Sequence, residues 1–315
     1  MVRSEDVARH AGVSRATVSL VLNGRMDIQI PEATRQRVQD AARELGYRPH
    51  RSGRAVRTGK TGNIAFLLST VSERSLFSPR LLDGLMDAAA EHDQHLLVSR
   101  ISDEKLTDAS FVPKILREFA ADGLVINYNS QTPPRLAELI AEARIPAIWI
   151  NDKREADCVF PDDFGAAKSA TERLIAEGHT RIAYAGWTPG PHYSMVDRLA
   201  GYQAAMAERG LTENIALLEQ TPATVLFSTQ EPPTAVLCYS PDTLATVWEA
   251  NRSVKLVVIH AEPYTTLEHA FDTWLLPDYT LGAAAVELLV QKIALPQGLC
   301  TPRALPLSFH KGDKQ

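Results

Sequence analysis

The chain has 315 residues, of which 45% are hydrophobic, so it is long for a single domain and can bury a sizeable core. No apolar run approaches the roughly 18 residues that a transmembrane helix needs, and the first ten residues lack the apolar segment of a signal peptide, so we expect a cytosolic protein. Cys158, Cys238 and Cys300 are odd in number and widely spaced, which argues against a disulfide framework and a metal site.

Positive charge is concentrated at the start of the chain, although the whole chain carries a net charge of −5. Residues 1–60 contain 12 Lys and Arg against 6 Asp and Glu, a net charge of +6. The remaining 255 residues contain 21 basic and 32 acidic side chains, a net charge of −11. A basic head on an acidic chain predicts a local surface that binds a polyanion.

Residues 5–23 predict two short helices separated by a tight turn. Glu5 and Asp6 favour a helix start behind Ser4 as N-cap, and Gly12 fits the turn that ends this helix. Ser14 is the predicted N-cap of the second helix, residues 15–22. One side of that helix is predicted to pack: Val18, Val21 and Leu22. The other side is left free: Arg15, Ala16, Ser19 and Leu20.

Two short helices joined through a turn with glycine form the helix-turn-helix pattern, whose second helix enters the DNA major groove. An ordinary helical hairpin is the alternative, and the basic charge of this region argues against it. A third helix is predicted from a first turn at Pro31 to about Leu45, with Gly46 as its stop. Its apolar residues would close a small three-helix core.

Residues 47–60 form a basic linker. Basic side chains recur at every third position from Arg48 to Lys60, and few apolar groups lie between them. By composition alone, this segment is a solvated tether.

From residue 63 onward, short apolar runs alternate with amphipathic segments. The predicted strands are 63–69, 95–99, 123–127, 147–151, 181–186, 235–239 and 255–259. The predicted helices are 80–92, 110–119, 135–143, 166–177, 196–209, 243–250 and 281–293. This alternation predicts parallel sheets covered by helices on both faces, in two doubly wound halves. A ligand would bind in the cleft at the carboxyl ends of their strands.

The segments DVARHAGVSRATVSLVLNG and PEATRQRVQDAARELGYRP resemble the headpiece of the lactose-repressor (LacI) family of bacterial transcription regulators. The resemblance implies an all-α helix-turn-helix headpiece over residues 1–46, a hinge over 47–61 and a periplasmic-binding-protein-like α/β effector domain over 62–315. The two doubly wound parallel-sheet subdomains of that domain are expected at 62–157 plus 276–300 and at 158–275 plus 301–315. Residues 305–312, LPLSFHKG, resemble the strand that returns at the end of the chain.

This resemblance implies a repressor that binds a roughly palindromic double-stranded operator as a homodimer. Arg15, Ala16 and Leu20 would face the bases, with Arg15 able to read guanine through two hydrogen bonds. Phosphate contacts are expected from Thr17, Ser19 and Asn23. The linker would form a hinge helix in the minor groove, carried by Arg51, Arg54, Val56 and Arg57. Ser52 and Gly53 depart from the usual pair there, and Gly53 should weaken the unbound helix.

The resemblance also implies a small-molecule effector, a sugar or related metabolite. The expected ligand contacts are Phe77, Asp162, Arg198 and Asp242, and arginine suits paired hydroxyls or a carboxylate. Asp162 or Asp163 could equally cap the following helix, and Asp242 could equally cap its helix or serve as first-turn charge.

Two departures from the family pattern concern the effector pocket. Ala261 stands where an aspartate commonly binds a sugar hydroxyl. Residues 211–233 are shorter than usual, which predicts a rebuilt or open pocket wall. A constitutive or protein-regulated DNA binder is therefore the alternative. A fused enzyme is a further hypothesis, but we find no phosphate loop, nucleophile elbow or metal-ligand spacing, and expect neither catalytic residues nor a cofactor.

Overall fold

The computed structural model describes residues 2–22, 28–48, 59–267 and 269–312. The chain divides into two compact units, residues 1–61 and residues 62–315. No helix in the described ranges is both long and apolar enough to cross a membrane.

Helices α1 (Ser4–Ala11), α2 (Arg15–Leu22) and α3 (Glu32–Glu44) form the described part of the first unit. The predicted cap of α2 is confirmed, because the Thr17 amide donates to Ser14 Oγ at 3.1 Å. The predicted cap of α1 is wrong by one residue: Ser4 is already helical, and Arg3 precedes the helix. The Asp6 carboxylate accepts the Arg3 amide at 2.9 Å, which holds the start of the helix there.

The three helices enclose a small apolar core. Its buried members are Val7, Ala8, Ala11, Val18, Val21, Val38, Ala41 and Ala42. Leu22 and Leu45 pack against this core but stay partly exposed. Gly12 and Gly46 adopt left-handed conformations just after α1 and α3, so each ends a helix as the sequence predicts.

The second unit contains two six-stranded sheets within its described residues. The strands of the first sheet are β1 (Asn63–Ser69), β2 (His95–Ile101), β3 (Gly123–Asn127), β4 (Ala147–Ile150), β5 (Cys158–Pro161) and β11 (Arg303–Leu305). Those of the second are β6 (Ile182–Gly186), β7 (Ile215–Leu217), β8 (Ala235–Cys238), β9 (Lys255–His260), β10 (Asp272–Leu275) and β12 (Ser308–His310). Between the described strands, every pairing is parallel except that of β10 with β12.

The sheet orders are β11-β5-β4-β3-β1-β2 and β12-β10-β9-β8-β6-β7. The α-helices of this unit are α4 (Pro79–Glu91), α5 (Lys114–Arg117), α6 (Pro134–Ala143), α7 (Asp163–Ala176), α8 (Tyr193–Glu208), α9 (Pro241–Ala250) and α10 (Asp278–Ala294). Apolar clusters lie on both faces of each sheet. The predicted pair of doubly wound parallel-sheet subdomains is therefore confirmed.

One predicted helix is much shorter in the structure. The helix expected at 110–119 is only the four residues of α5, because Pro113 precedes it in an extended conformation and Phe119 turns left-handed after it. Residues 211–233 contain the three-residue strand β7 and a 3-10 helix, Ala223–Phe227. None of these residues lines the cleft described below, so the rebuilt or open pocket wall stays a prediction.

The predicted subdomain boundaries need correction at two of three crossings. Strand β5 pairs with β4, and β11 pairs with β5, so both strands belong to the first sheet. The chain therefore first crosses after Pro161 rather than at 157, and last crosses between β11 and β12 rather than at 300. All four residues of β5 are buried in the first sheet, and the chain passes to the second subdomain only after them.

Helix α8 packs closely on α7 at Gly201. A methyl group on Gly201 would overlap the backbone carbonyl oxygen of Phe164 and lie 2.9 Å from the backbone nitrogen of Lys168. This close approach brings α8 against the amino end of α7, where the side chains discussed below meet.

We expect Gly201→Ala to lower the free energy of unfolding by about 1–3 kcal/mol, because backbone atoms have little freedom to move aside. Ala207→Ser, on the exposed face of the same helix, should change it by less than about 0.5 kcal/mol. Urea unfolding of both variants measures the difference, and equal effects would contradict close packing at Gly201.

Candidate functional sites

The first candidate site is the outer face of α2. Arg15 and Ala16 are exposed, whereas Val18 and Val21 are buried beneath them. Leu20 is partly exposed, as a residue at the edge of this face would be. The helix therefore presents the predicted base-facing residues to solvent and packs its other side, as the periodicity indicates.

The predicted phosphate contacts are only partly within the described residues. Thr17 is half-buried, and its hydroxyl lies 2.9 Å from that of Ser14. Ser19 is also half-buried and has a partner of its own. Asn23 and the hinge residues Arg51, Arg54, Val56 and Arg57 lie outside the described residues, so their roles stay predictions.

Arg15 has a partner that the sequence did not reveal. Its Nη1 donates to Oε1 of Glu5 at 2.7 Å across the α1–α2 turn. The two residues are ten positions apart and on different helices, so no helical periodicity links them. Only the three-dimensional packing of α1 on α2 brings them together.

The second candidate site is a cavity of about 540 Å³ in the second unit. Side chains at or just after the carboxyl ends of strands line it from both sheets, including Asn127, Pro161, Tyr239, His260 and Leu276. Apolar side chains cover part of its wall: Leu76, Phe77, Leu81, Ala261 and Leu281. The structure thus has a cleft where parallel sheets with this topology are expected to bind a ligand.

Arg198 lies in the cleft wall but is already paired. It is buried, its Nε donates to Oδ1 of Asp163 at 2.6 Å, and its Nη1 donates to the Tyr239 carbonyl at 2.5 Å. Burial would lower the pKa of the guanidinium, yet the Asp163 carboxylate raises it above its ordinary value. The positive charge of Arg198 is therefore largely neutralised within the protein.

Among the other predicted ligand residues, only Phe77 lines the cleft. Asp162 instead caps α7, because its Oδ1 accepts the Gly165 amide at 3.0 Å. The next residue, Asp163, is the one at the cleft. Asp242 is an exposed residue in the first turn of α9 and does not line the cavity. For both acids, the local role that the sequence left open is the one that the geometry supports.

The loop that carries Phe77 is fixed by several hydrogen bonds. Ser75 Oγ donates to the Asn127 carbonyl at 2.6 Å and accepts the Ser69 amide at 2.8 Å. The ring of Phe77 meets Phe66 edge to face, with centroids 5.3 Å apart. These contacts hold a partly exposed aromatic ring at the cleft wall.

Two asparagines that line the cleft hold the neighbouring loop at Leu76. The amide nitrogens of Asn127 and Asn129 donate to the Leu76 carbonyl at 3.2 and 3.0 Å. That shared acceptor fixes which end of each amide is oxygen. Within the described part of the chain, neither Oδ1 atom has a hydrogen-bond partner.

His192 joins the two subdomains beside the cleft. Its Nε2 lies 3.1 Å from the Asn151 carbonyl, in the loop after β4, and its Nδ1 lies 2.7 Å from Ser194 Oγ at the start of α8. Ser194 Oγ in turn lies 2.9 Å from the Tyr239 hydroxyl. Burial lowers the pKa of His192, which favours the neutral ring that can donate at Nε2 and accept at Nδ1.

The remaining titratable groups make the cleft acidic rather than basic. Burial raises the pKa of Asp278 and lowers the pKa of His260, and Glu73 also lines the wall. Histidine caps and buried acids of this kind leave no periodic signal, so the sequence did not predict them.

A helix-turn-helix unit with an exposed reading face, followed by two parallel-sheet subdomains around a cleft, defines a DNA-binding transcription regulator with a periplasmic-binding-protein-like domain. Residues 5–50 match the model of bacterial regulatory proteins of the lacI family, and residues 61–253 match that of periplasmic binding proteins and the sugar binding domain of the LacI family. The chain belongs to the lacI family of bacterial regulatory proteins.

Curated relatives are regulators of the same kind. The chain is 34% identical to the HTH-type transcriptional regulator RegA of Clostridium saccharobutylicum over 68% of its own length and 64% of that protein. It is 30% identical to the maltose regulon regulatory protein MalI of Escherichia coli, with 91% of each chain covered.

Solved structures share the fold. The lac repressor dimer bound to operator and the anti-inducer ONPF has a TM-score of 0.74 at 21% identity, with 99% of this chain and 98% of that one covered. The complex of the transcriptional regulator CelR with cellobiose has a TM-score of 0.62 at 23% identity, with 99% of both chains covered.

Proposed function

We propose that this chain is a cytoplasmic repressor that binds a pseudo-palindromic operator as a homodimer and responds to a small molecule in the cleft. The observation that carries the proposal is the reading face of α2, which presents Arg15 and Ala16 to solvent in a unit of positive charge. Phosphate contacts by such a unit release counterions, and its exposed arginine can discriminate between bases. Paired half-sites match a two-fold protein.

The proposal assigns binding, not catalysis, to the cleft. RegA and MalI are transcription regulators, and the cleft residues are engaged with one another: Arg198 with Asp163, and His192 with Ser194. A ligand that favours one arrangement of the two subdomains would shift the chain toward or away from its DNA-binding form. The hydrogen bond between His192 Nε2 and the Asn151 carbonyl joins the two subdomains, so a change in their arrangement would alter it.

The cleft chemistry favours an uncharged ligand rich in hydrogen-bond donors, such as a sugar. The carboxylates of Glu73 and Asp278 line the cleft, where they can accept hydrogen bonds from a ligand and repel anions. Arg198 cannot readily hold a phosphate because Asp163 already neutralises it. The apolar wall around Phe77 would pack against the face of a sugar ring or an attached apolar group.

We expect a neutral sugar to stabilise the purified chain and its phosphorylated counterpart to have no effect. A ligand at about 100 times its Kd adds about 2.7 kcal/mol to the stability of the folded state, which a thermal-shift assay detects. Glucose with glucose 6-phosphate and ribose with ribose 5-phosphate are matched probes that differ by one charged group. Stabilisation by the phosphates alone would contradict the electrostatic argument.

Ala261 supports a second candidate function. Its methyl group lines the cleft at the position where the family resemblance places an aspartate. If this change has removed ligand binding, the chain is a constitutive or protein-regulated DNA binder. Salt-sensitive DNA binding with no stabilisation by any sugar or nucleoside would favour this candidate over the first.

A further inference from the structure

The guanidinium of Arg15 is held by a carboxylate of the neighbouring helix α1. Glu5 is the second residue of α1, and Arg15 is the first residue of α2. Their side chains meet at 2.7 Å. The neighbouring acid, Asp6, is engaged elsewhere, since it accepts the Arg3 amide at 2.9 Å and lies 3.8 Å from Arg9. Within the described residues, Glu5 alone forms an ion pair with Arg15.

This ion pair contributes little to the stability of the fold. The side chain of Arg15 is 66% exposed and that of Glu5 is 50% exposed. Exposed pairs of this kind contribute roughly 0.2–1 kcal/mol in water. Arg15 also stands at a helix N-terminus, where the helix dipole disfavours a positive charge, and Glu5 offsets that effect locally. The pair therefore controls where the guanidinium lies more than it stabilises the fold.

The position of the guanidinium matters because arginine can contact DNA in two ways. Its donors form a rigid fork that fits guanine O6 and N7, but it binds phosphate oxygens equally well. A contact to the base carries sequence information, whereas a contact to phosphate does not. With Nη1 engaged by Glu5, the other donors of the fork remain for the edge of a base.

We propose that Glu5 is a specificity-determining residue that acts through Arg15, an inference that rests on the DNA-binding function proposed above. The carboxylate of Glu5 anchors one side of the guanidinium and repels the DNA phosphates. Arg15 is thereby aimed at a guanine and kept from the backbone. Their mutual attraction strengthens when DNA excludes water from the pair, because the effective dielectric constant falls. The pair lowers general DNA affinity and raises discrimination between sequences.

Glu5→Gln retains the shape of the side chain and removes its charge. We expect tighter binding to scrambled DNA and a fall of about 2–5-fold in the ratio of scrambled to selected Kd, the size of an exposed ion-pair energy. Glu44→Gln is the matched control. This variant removes a carboxylate from the same unit, where Glu44 pairs with His10 at 2.9 Å. It should raise the affinity for both duplexes by the same factor.

The experiment uses the full chain. Selection from a duplex pool randomised over about two helical turns defines the preferred duplex, and fluorescence anisotropy then compares it with a scrambled duplex. Both measurements are repeated with Glu5→Gln in an Arg15→Ala background, which forms a double-mutant cycle. A ratio that falls only when Arg15 is present supports the proposal. An unchanged ratio, or the same fall without Arg15, overturns it. If the wild-type chain enriches no sequence, the proposed DNA-binding function is itself overturned.

Discussion

Asp163→Ala is expected to lower the free energy of unfolding of the second unit by about 3–5 kcal/mol, because it leaves the buried guanidinium of Arg198 without its counter-charge. Both side chains are almost fully buried, at 8% and 1% exposure, and the carbonyl of Tyr239 provides no charge to replace the carboxylate. All four tryptophans lie in residues 62–315, so denaturation followed by tryptophan fluorescence reports on this unit alone.

Two further variants test whether the loss of stability comes from an unpaired charge in a buried position rather than from the loss of any ion pair. Glu208→Ala breaks the exposed pair between α8 and Lys168 and should cost less than about 1 kcal/mol. Asp163→Ala combined with Arg198→Met removes both buried charges and should recover much of the lost stability. If the double variant is as unstable as Asp163→Ala alone, an unpaired buried charge is not the cause.

Arg15→Ala is expected to reduce discrimination between the preferred and a scrambled duplex by about 5–150-fold, the energy of one bidentate contact to guanine. Its affinity for the scrambled duplex should change little beyond the loss of one positive charge. Competition binding at fixed salt concentration measures both quantities, since the salt concentration sets the non-specific affinity.

Arg43→Ala is the matched control for charge. Arg43 is an exposed residue of α3 in the same unit, and its loss should leave the discrimination ratio unchanged. For Asn23, which lies outside the described residues, the expectation is that Asn23→Ala weakens binding to all sequences alike. Equal losses on preferred and scrambled DNA for Arg15→Ala would contradict its assignment to the bases.

Much of the fold was predictable because its elements have strong periodic or apolar signals. The buried strands β1, β3 and β8 are continuous apolar runs, as parallel strands covered on both faces should be. The strands that were missed, β5, β7, β10 and β11, have only three or four residues, and each pairs with at least one strand that is distant in sequence or separated by a helix. Such short strands depend on tertiary pairing, which local sequence does not encode.

The candidate sites were less predictable than the fold. Phe77 and Arg198 lie in the cleft, as the family resemblance implied. The resemblance did not indicate that Arg198 forms a buried ion pair with Asp163. Whether Asp162 or Asp163 faces the cleft depends on the residue at which α7 begins, a difference of one position. The partnership of Glu5 with Arg15 depends on how two helices pack. Each of these is a long-range geometric fact rather than a local one.

Selection and sequencing of DNA bound by the full chain tests directly whether α2 reads a DNA sequence. We expect enrichment of duplexes with two inverted half-sites, and an affinity for them that falls steeply as the salt concentration rises. A pool that shows no enrichment over its starting composition would contradict sequence-specific binding, because the exposed face of α2 would then carry no sequence preference.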